Sequence, residues 1–557
     1  MQMRLTLVLV LAGAVALSIP VAAWGQFPSR RRLPRPSPSM PTAGSESAPR
    51  GVDGLDPVLE NPEQGAARTM LRSSVASAYA DGVSAPSGAD RPAARAVSNI
   101  VVAEPEAIPN EANASSFLWQ WGQFLDHDLD LVETSATETF DAPVPAGDPW
   151  FDPSGTGLAV IPLFRSLYDP ATGNEPGSPR RQLNDVTAFI DASNVYGSSA
   201  ERASVLRAPD DSGGLLTSPR GMLPYNTMGM PNGGGSGEEL FVAGDVRANE
   251  QIGLTALHTL FVREHNRLAR MIRAADASLS GDAVYERARA LVAAEMQIIT
   301  YKEFLPILLG AGALRPYEGF RPDVDASIAN LFATAAYRFG HSMLNEKLLR
   351  LERDGSESAA GHLPLAESFF NPVRLTEEGG LEPILRGLAW QRARRIDPYV
   401  TDAVRNFLFG PPGAGGFDLA TLNIQRGRDH GLPDYNTVRR ELGLAPKTSF
   451  AAISGEPVIQ RRLEEAYGTV DRIDPWVGGL AEDHVAGALV GELIRTVLTD
   501  QFERLRDGDR CWYESFFDEA TARQLERMRL SDIIRMNTMI EGEVPDDVFH
   551  APAGAPF

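Results

Sequence analysis

Trp121-Gly122-Gln123-Phe124-Leu125-Asp126-His127-Asp128 sets a histidine between two carboxylates inside an otherwise apolar, aromatic stretch. Phe117, Leu118, Trp121, Phe124 and Leu125 recur at helical spacing, so the stretch reads as a helix, with Asn113 as its expected N-cap. Burying three ionisable side chains is costly unless each meets a partner, a metal or a cofactor. Gln123 and His127 are i,i+4 and share a face, with Asp126 beside them. Asp128 lies about 200° round the helix from Asp126. The two carboxylates therefore serve different neighbours, one on the histidine side and one elsewhere.

The rest of the chain is mainly helical in pattern, which predicts one large α domain with few strands. Leu254, Leu257, Phe261 and Val262 repeat the same periodicity. Ser327 to Leu351 holds no proline and one glycine and reads as a long helix. Further helices are expected over Val485–Leu505 and Ala520–Arg527. The glycine-rich stretches at 233–237 and 410–416 read as loops. Neither carries the Lys-Ser/Thr of a phosphate-cradling loop, so nucleotide chemistry is disfavoured.

The chain has 557 residues and a formal net charge of -21, which argues against a nucleic-acid backbone as partner. Arg4, the apolar run Leu5 to Leu17 and small residues at Val21-Ala22-Ala23 or Ala23-Trp24-Gly25 predict an export signal over residues 1–25. The run falls short of the ~20 apolar residues of a membrane span, so no stable insertion is expected after cleavage. Residues 26–50 are rich in Pro, Ser and Arg and read as a linker, leaving 51–557 as the folded domain. The expectation is a secreted, extracellular or periplasmic protein. One cysteine, Cys511, permits no intrachain disulfide and reads as a small buried residue, so packing, an ion or a cofactor must stabilise the fold.

Four further clusters stand out. In Thr187-Ala188-Phe189-Ile190-Asp191-Ala192-Ser193, taken as extended, positions 187, 189, 191 and 193 project alike. Two hydroxyls, a carboxylate and the Phe189 carbonyl are oxygen ligands suited to calcium, and Asp128 would complete the shell. The same residues would also suit an ordinary Ser/Thr-bearing strand. Arg247 and Glu250, spaced i,i+3, would face one ligand or form a surface ion pair. A fixed cation beside a histidine suits peroxide cleavage, one taking a proton while the other stabilises developing charge. In Tyr337-Arg338-Phe339-Gly340-His341, an apolar stripe of Phe332, Ala336, Phe339 and Met343 opposes His341, with Tyr337, Arg338 and Asn345 near the histidine. Histidine is the usual axial ligand of peroxidase haem, and Gly340 would admit a flat ligand. In Leu422-Asn423-Ile424-Gln425-Arg426-Gly427-Arg428-Asp429-His430-Gly431, Asn423 suits a hydrogen bond behind an axial histidine, and Arg426 with Arg338 suits two propionates. A polar loop with a buried ion pair is the plainer reading.

These elements, in this order from about Gly51 to Asp547, resemble the animal-type haem peroxidases. Tyr79-Ala80-Asp81-Gly82, Asp191 to Gly197 and Leu505 to Tyr513 look like family segments as well. The resemblance implies haem b and calcium as cofactors. It implies His127 as the distal acid–base, Arg247 as the distal cation and Gln123 as the holder of the distal water or halide. It implies His341 as iron ligand backed by Asn423, and Asp126 and Glu250 as carboxylates able to form ester links to haem. Asp128, Thr187, Phe189, Asp191 and Ser193 correspond to the calcium shell. Gln251 stands where myeloperoxidase has a haem-linked methionine, so no sulfonium link is expected. The animal disulfides are missing, as in a bacterial-type member. The implied activity is reduction of hydrogen peroxide with halide, thiocyanate or small phenolic donors. A related fatty-acid dioxygenase is one rival, though Arg338 holds the position three before His341 where cyclooxygenases carry their radical tyrosine. A non-catalytic binding module on the same fold is the other.

Overall fold

The computed structural model describes residues 49–556, so the expected export signal and most of the linker lie outside the described residues. Arg50, assigned to the linker by composition, is buried. Its guanidinium stacks 3.4 Å from the Phe189 ring centroid and pairs with Asp509.

Helices dominate, and the strands form four two-stranded antiparallel ribbons. Thr69–Met70 pairs with Leu183–Asn184, Thr134–Thr139 with Phe164–Ser166, Ala142–Pro143 with Val160–Ile161, and Lys347–Leu348 with Leu363–Pro364. Five helices matter most here: α1 (Phe117–Leu129), α2 (Ile252–Ala275), α3 (Gly281–Ile299), α4 (Leu419–Asp429) and α5 (Glu492–Asp507). Helix α2 packs along α3 and against α1. Phe117, Leu118, Trp121, Phe124 and Leu125 are fully buried, and Trp121 and Phe124 meet Phe261 of α2 at ring centroids of 5.8 and 5.1 Å. Burying such rings stabilises by about 1.5–3 kcal/mol each, which fixes α1 as a central, rigid element.

Asn113 does not cap α1. It sits at φ 54°, its amide oxygen accepts from Arg392, and the Ser115 hydroxyl accepts from the Phe117 N–H instead. The expected helices at 485–505 and 520–527 appear as Glu492–Asp507 and Glu519–Leu525, the latter capped by Asp518.

The expected long helix from Ser327 to Leu351 is broken. Asn330–Thr334 is helical, Ala335 leaves helical geometry at φ -138°, Ala336–Met343 continues as a 3-10 turn, and Lys347–Leu348 is strand. The cause is local. Arg338 Nε donates to the Ala333 carbonyl at 2.9 Å, the acceptor that residue 337 would use in a continuous helix. In the tighter turn residues three apart eclipse, so Arg338 stands over His341. Tyr337 turns away from them onto the apolar side, stacked on Phe332 at 4.6 Å. The 3-10 segment packs on α1 and α5.

Candidate active site

Helix α1 presents His127 and Asp126 toward the loop that precedes α2. Asp245 on that loop is the residue the sequence reading missed. Its carboxylate accepts from Arg247 Nε and Nη2, each at 2.9 Å, and lies 3.4 Å from His127 Nδ1. Arg247 Nη2 also donates to the Asp130 carbonyl at 2.8 Å, and Nη1 lies 3.5 Å from Asp126. Glu250 lies 3.9 Å from His127 Nε2. The base, the cation and both candidate ester carboxylates thus converge, as expected. The available signal for Asp245 was its place two residues before Arg247.

The electrostatics follow from burial. Burial, then the Arg247 charge, hold His127 well below its usual pKa, so its imidazole is neutral and able to accept a proton. Burial opposes the charge on Arg247, but Asp245, with Asp126 and Asp130, outweighs it and raises the guanidinium pKa. Burial likewise works against Asp245, and the Arg247 charge and hydrogen bonds overcome it, so the carboxylate stays ionised. Glu250 is pushed up to about 7, mainly by burial, and Asp126 is raised for the same reason. The side chains of Asp126 and Glu250 keep 31 % and 24 % of their surface accessible although both lie deep in the protein. Accessible surface at that depth is surface on an internal space.

Gln123 lies beside this group. Its amide oxygen accepts from Gln251 at 3.1 Å, while Gln251 bonds Gln120 at 2.7 Å and caps α2 through the Gly253 N–H. Position 251 is thus occupied by a hydrogen-bonded amide.

His341 belongs to a second group. Asn423 on α4 sits with Nδ2 2.7 Å from His341 Nδ1, while its Oδ1 accepts from Arg338 Nη1 at 2.9 Å. Burial takes the His341 pKa down to about 3, leaving a neutral ring. A Cβ added at Gly340 would meet nothing within 4 Å, so open space borders the histidine. Arg338 is disfavoured by burial, with Asp130 and Asp126 as longer-range counter-charges. Such a guanidinium suits an anionic ligand group. Arg426 is differently placed. Its Nη1 is taken by Asp429 (3.0 Å), Ser166 Oγ (2.8 Å) and the Phe164 carbonyl (3.0 Å). The structure brings Arg338 and Asn423 to His341 and ties Arg426 into a neighbouring ion-pair network.

The calcium candidates also come together, in a different geometry from the expected extended loop. Residues 188–191 form bends, Ala192 is left-handed at φ 63°, and Ser193 opens a short helical turn, Ser193–Tyr196. Thr187 Oγ1 donates to Asp191 Oδ1 at 2.9 Å, and Ser193 Oγ donates to Asp128 Oδ1 at 2.7 Å. Phe189 lies between them, its ring beneath Arg50. Burial and then Asp191 raise the Asp128 pKa strongly. Asp191 Oδ2 is buried without a hydrogen bond and lies 3.9 Å from Arg50. Among the described residues no three His, Cys, Asp or Glu cluster as metal ligands. An ion here would rest on two carboxylates completed by hydroxyls and a carbonyl.

Residues 49–549 match the family model described as animal haem peroxidase. Over 512 residues the chain is 38% identical to a peroxidasin of Drosophila melanogaster, covering 84% of this chain and 34% of that protein. It is 36% identical to peroxinectin A of Dictyostelium discoideum over 470 residues, covering 82% and 87%. The solved structure of peroxidase A from Dictyostelium discoideum superposes with a TM-score of 0.83 at 34% identity, covering 90% of this chain and 99% of that one. The chain therefore spans about a third of the peroxidasin but most of the two Dictyostelium proteins.

Proposed function

Because this chain belongs to the animal haem peroxidase family, we propose that it is a haem-dependent peroxidase that reduces hydrogen peroxide at the expense of small anionic or phenolic donors. One observation carries the reading. A neutral buried histidine and a fixed arginine share the Asp245 carboxylate and face Glu250. This pairs a base with a cation, as peroxide cleavage requires.

The residues present fit haem b. His341 would ligate the iron, Arg338 would meet a propionate, and Asp126 and Glu250 would form ester links. Haem, when bound, supplies a redox-active iron that passes two electrons to peroxide. The protein's part is proton movement and charge. His127 Nε2 accepts the proton of one peroxide oxygen and returns it to the departing one. Arg247 stabilises the negative charge that develops meanwhile, and Asp245 fixes Arg247 and offers its charge to the His127 ring. With an anion on Arg338, the Asn423 amide would turn so that its oxygen accepts the His341 Nδ1 proton, which would leave Nε2 free to hold the iron.

Asp128, Thr187, Phe189, Asp191 and Ser193 form the proposed calcium shell. Asp128, raised by burial and by the neighbouring Asp191, would be relieved by a divalent ion, and Asp128 would tie that ion to the helix bearing His127. Export is proposed from the sequence signal. Among the described residues no helix is long and apolar enough to cross a membrane.

The test is the absorption spectrum of the purified, haem-supplied protein, before and after addition of hydrogen peroxide. A Soret band that shifts within the mixing time supports the reading. A protein that takes up no haem, or holds haem inert to peroxide, overturns it.

A further inference from the structure

A line of aromatic side chains runs from the His341 segment to the protein surface, and the proposed mechanism does not use it. It begins at Tyr337, four residues before His341 on the same 3-10 turn. The Tyr337 ring lies 5.9 Å from Phe502 of α5, and Phe502 lies 6.1 Å from Tyr301. Tyr301 meets Trp512 at 4.7 Å. Trp512 meets Tyr513 at 4.8 Å and Tyr317 at 5.9 Å. Tyr317 is half-buried, and its hydroxyl bonds the exposed Ser515 at 2.5 Å.

The two ends differ in what they offer a proton. A tyrosine or tryptophan that loses an electron becomes a strong acid and settles as a neutral radical where a base takes its proton. The Tyr337 hydroxyl is buried without a hydrogen-bond partner, and the Tyr301 hydroxyl donates to the Phe502 carbonyl, a poor base. At the outer end Trp512 Nε1 donates to the Glu514 carboxylate at 3.3 Å, and the Tyr513 hydroxyl donates to Glu526 at 2.8 Å. Glu514 is exposed and can pass the proton to water. The inner rings can carry an electron vacancy but not keep it. The outer cluster can keep it.

We propose that Tyr337, Tyr301, Trp512 and Tyr317 form an electron path from the haem site to the surface, serving bulky phenolic donors that cannot enter the internal space. This rests on the peroxidase reading. Reduction of one peroxide to two waters withdraws two electrons, one for each of two donors. Twice in each cycle, once for each donor, Trp512 gives one electron inward along the rings, and its Nε1 proton goes to Glu514. A phenol docked outside then gives one electron and its hydroxyl proton, restoring Trp512 and leaving a phenoxyl radical in solution. Phe502 bridges two stations without itself being oxidised.

The test uses the haem-loaded full chain and one equivalent of hydrogen peroxide without donor. It is read by rapid-freeze electron paramagnetic resonance with ring-deuterated tyrosine or tryptophan, and by mass spectrometry of nitroso spin-trap adducts. The expected result is a tryptophanyl or tyrosyl signal, with adducts on peptides carrying Tyr317 or Trp512-Tyr513. In the double variant Tyr317→Phe, Glu514→Gln, which changes only groups at the outer end, adducts at these positions fall about tenfold. Oxidation of a phenol tethered to a soluble polymer falls by a similar factor, while free phenol is oxidised as before. Trp512→Phe, checked for folding by thermal melting, should do the same. Unchanged adducts and unchanged polymer-phenol oxidation in all variants overturn the path while leaving the peroxidase reading intact. A haem protein with no spectral response to peroxide overturns both.

Discussion

Asp245 binds Arg247 through two parallel 2.9 Å bonds, and the same carboxylate stands 3.4 Å from His127 Nδ1. One buried anion therefore holds the cation and stands beside the histidine ring. Asp245→Asn keeps the volume but removes the charge, and it should slow the peroxide-dependent Soret shift by roughly 10- to 100-fold, the usual cost of losing an orienting partner. Stopped-flow mixing over a pH series measures this. An unchanged rate and pH profile would show that the carboxylate serves folding alone.

His127→Ala should retain haem and lose fast peroxide reduction. A positioned general acid–base contributes about 10²–10⁴-fold, so the stopped-flow rate should fall by that order. Peroxide reduction at the wild-type rate in this variant would falsify the role of His127.

Glu250 gives a pH signature in the haem-free protein. Burial first, then Asp126 and Asp245 against the opposing Arg247, raises its pKa from 4.5 to about 7. A carboxyl whose pKa is raised by folding binds its proton more tightly when folded. Its contribution is therefore complete below pH 4.5 and is lost as pH rises through about 7. Glu250→Gln stays neutral throughout. The variant should match the wild type near pH 4 and exceed it by on the order of 3 kcal/mol above pH 7. Denaturant melts of both proteins across that window decide, and a difference independent of pH counts against the assignment.

Calcium removal should destabilise the chain without removing haem chemistry outright. An ion held at a hundred times its dissociation constant stabilises by about 2.7 kcal/mol. Chelation should therefore lower the melting temperature, calcium but not sodium should restore it, and Asp191→Asn should abolish the difference. Equal melting with and without chelator would remove the ion from Asp128, Thr187, Phe189, Asp191 and Ser193.

Ester attachment is checked by acid–acetone extraction after turnover with peroxide. Haem should stay with the wild-type chain, be held by a single bond in Asp126→Asn or Glu250→Gln, and extract freely from the double variant. Free extraction from the wild type would limit these carboxylates to electrostatic contacts.

Periodicity made α1 and α2 legible, because an amphipathic pattern needs only local spacing, and both emerged with the expected faces buried. It failed at 327–351, where nothing local forbids a helix. There Arg338 Nε takes the Ala333 carbonyl and Trp476 Nε1 takes the Arg338 carbonyl at 3.2 Å, the latter a contact across 138 residues. The loop at 187–193 gathers the expected oxygen groups but not the expected extended shape, because Thr187 and Ser193 bond nearby carboxylates and fold the backbone into bends. Arg50 shows the same limit, since a linker-like composition conceals a residue buried by Phe189 and Asp509.

By itself the sequence determined which groups exist and which share a helix face: Gln123 with His127, Asp126 apart from Asp128. These follow from the fixed geometry of an α-helix and need no partner. The tertiary structure alone decided who neutralises whom. It put Asp245 against His127, tied Arg426 to Ser166 and the Phe164 carbonyl, and brought Arg338 to Asn423. Charge interactions and hydrogen bonds depend on distance through space, and positions far apart along the chain acquire that distance only when the core packs.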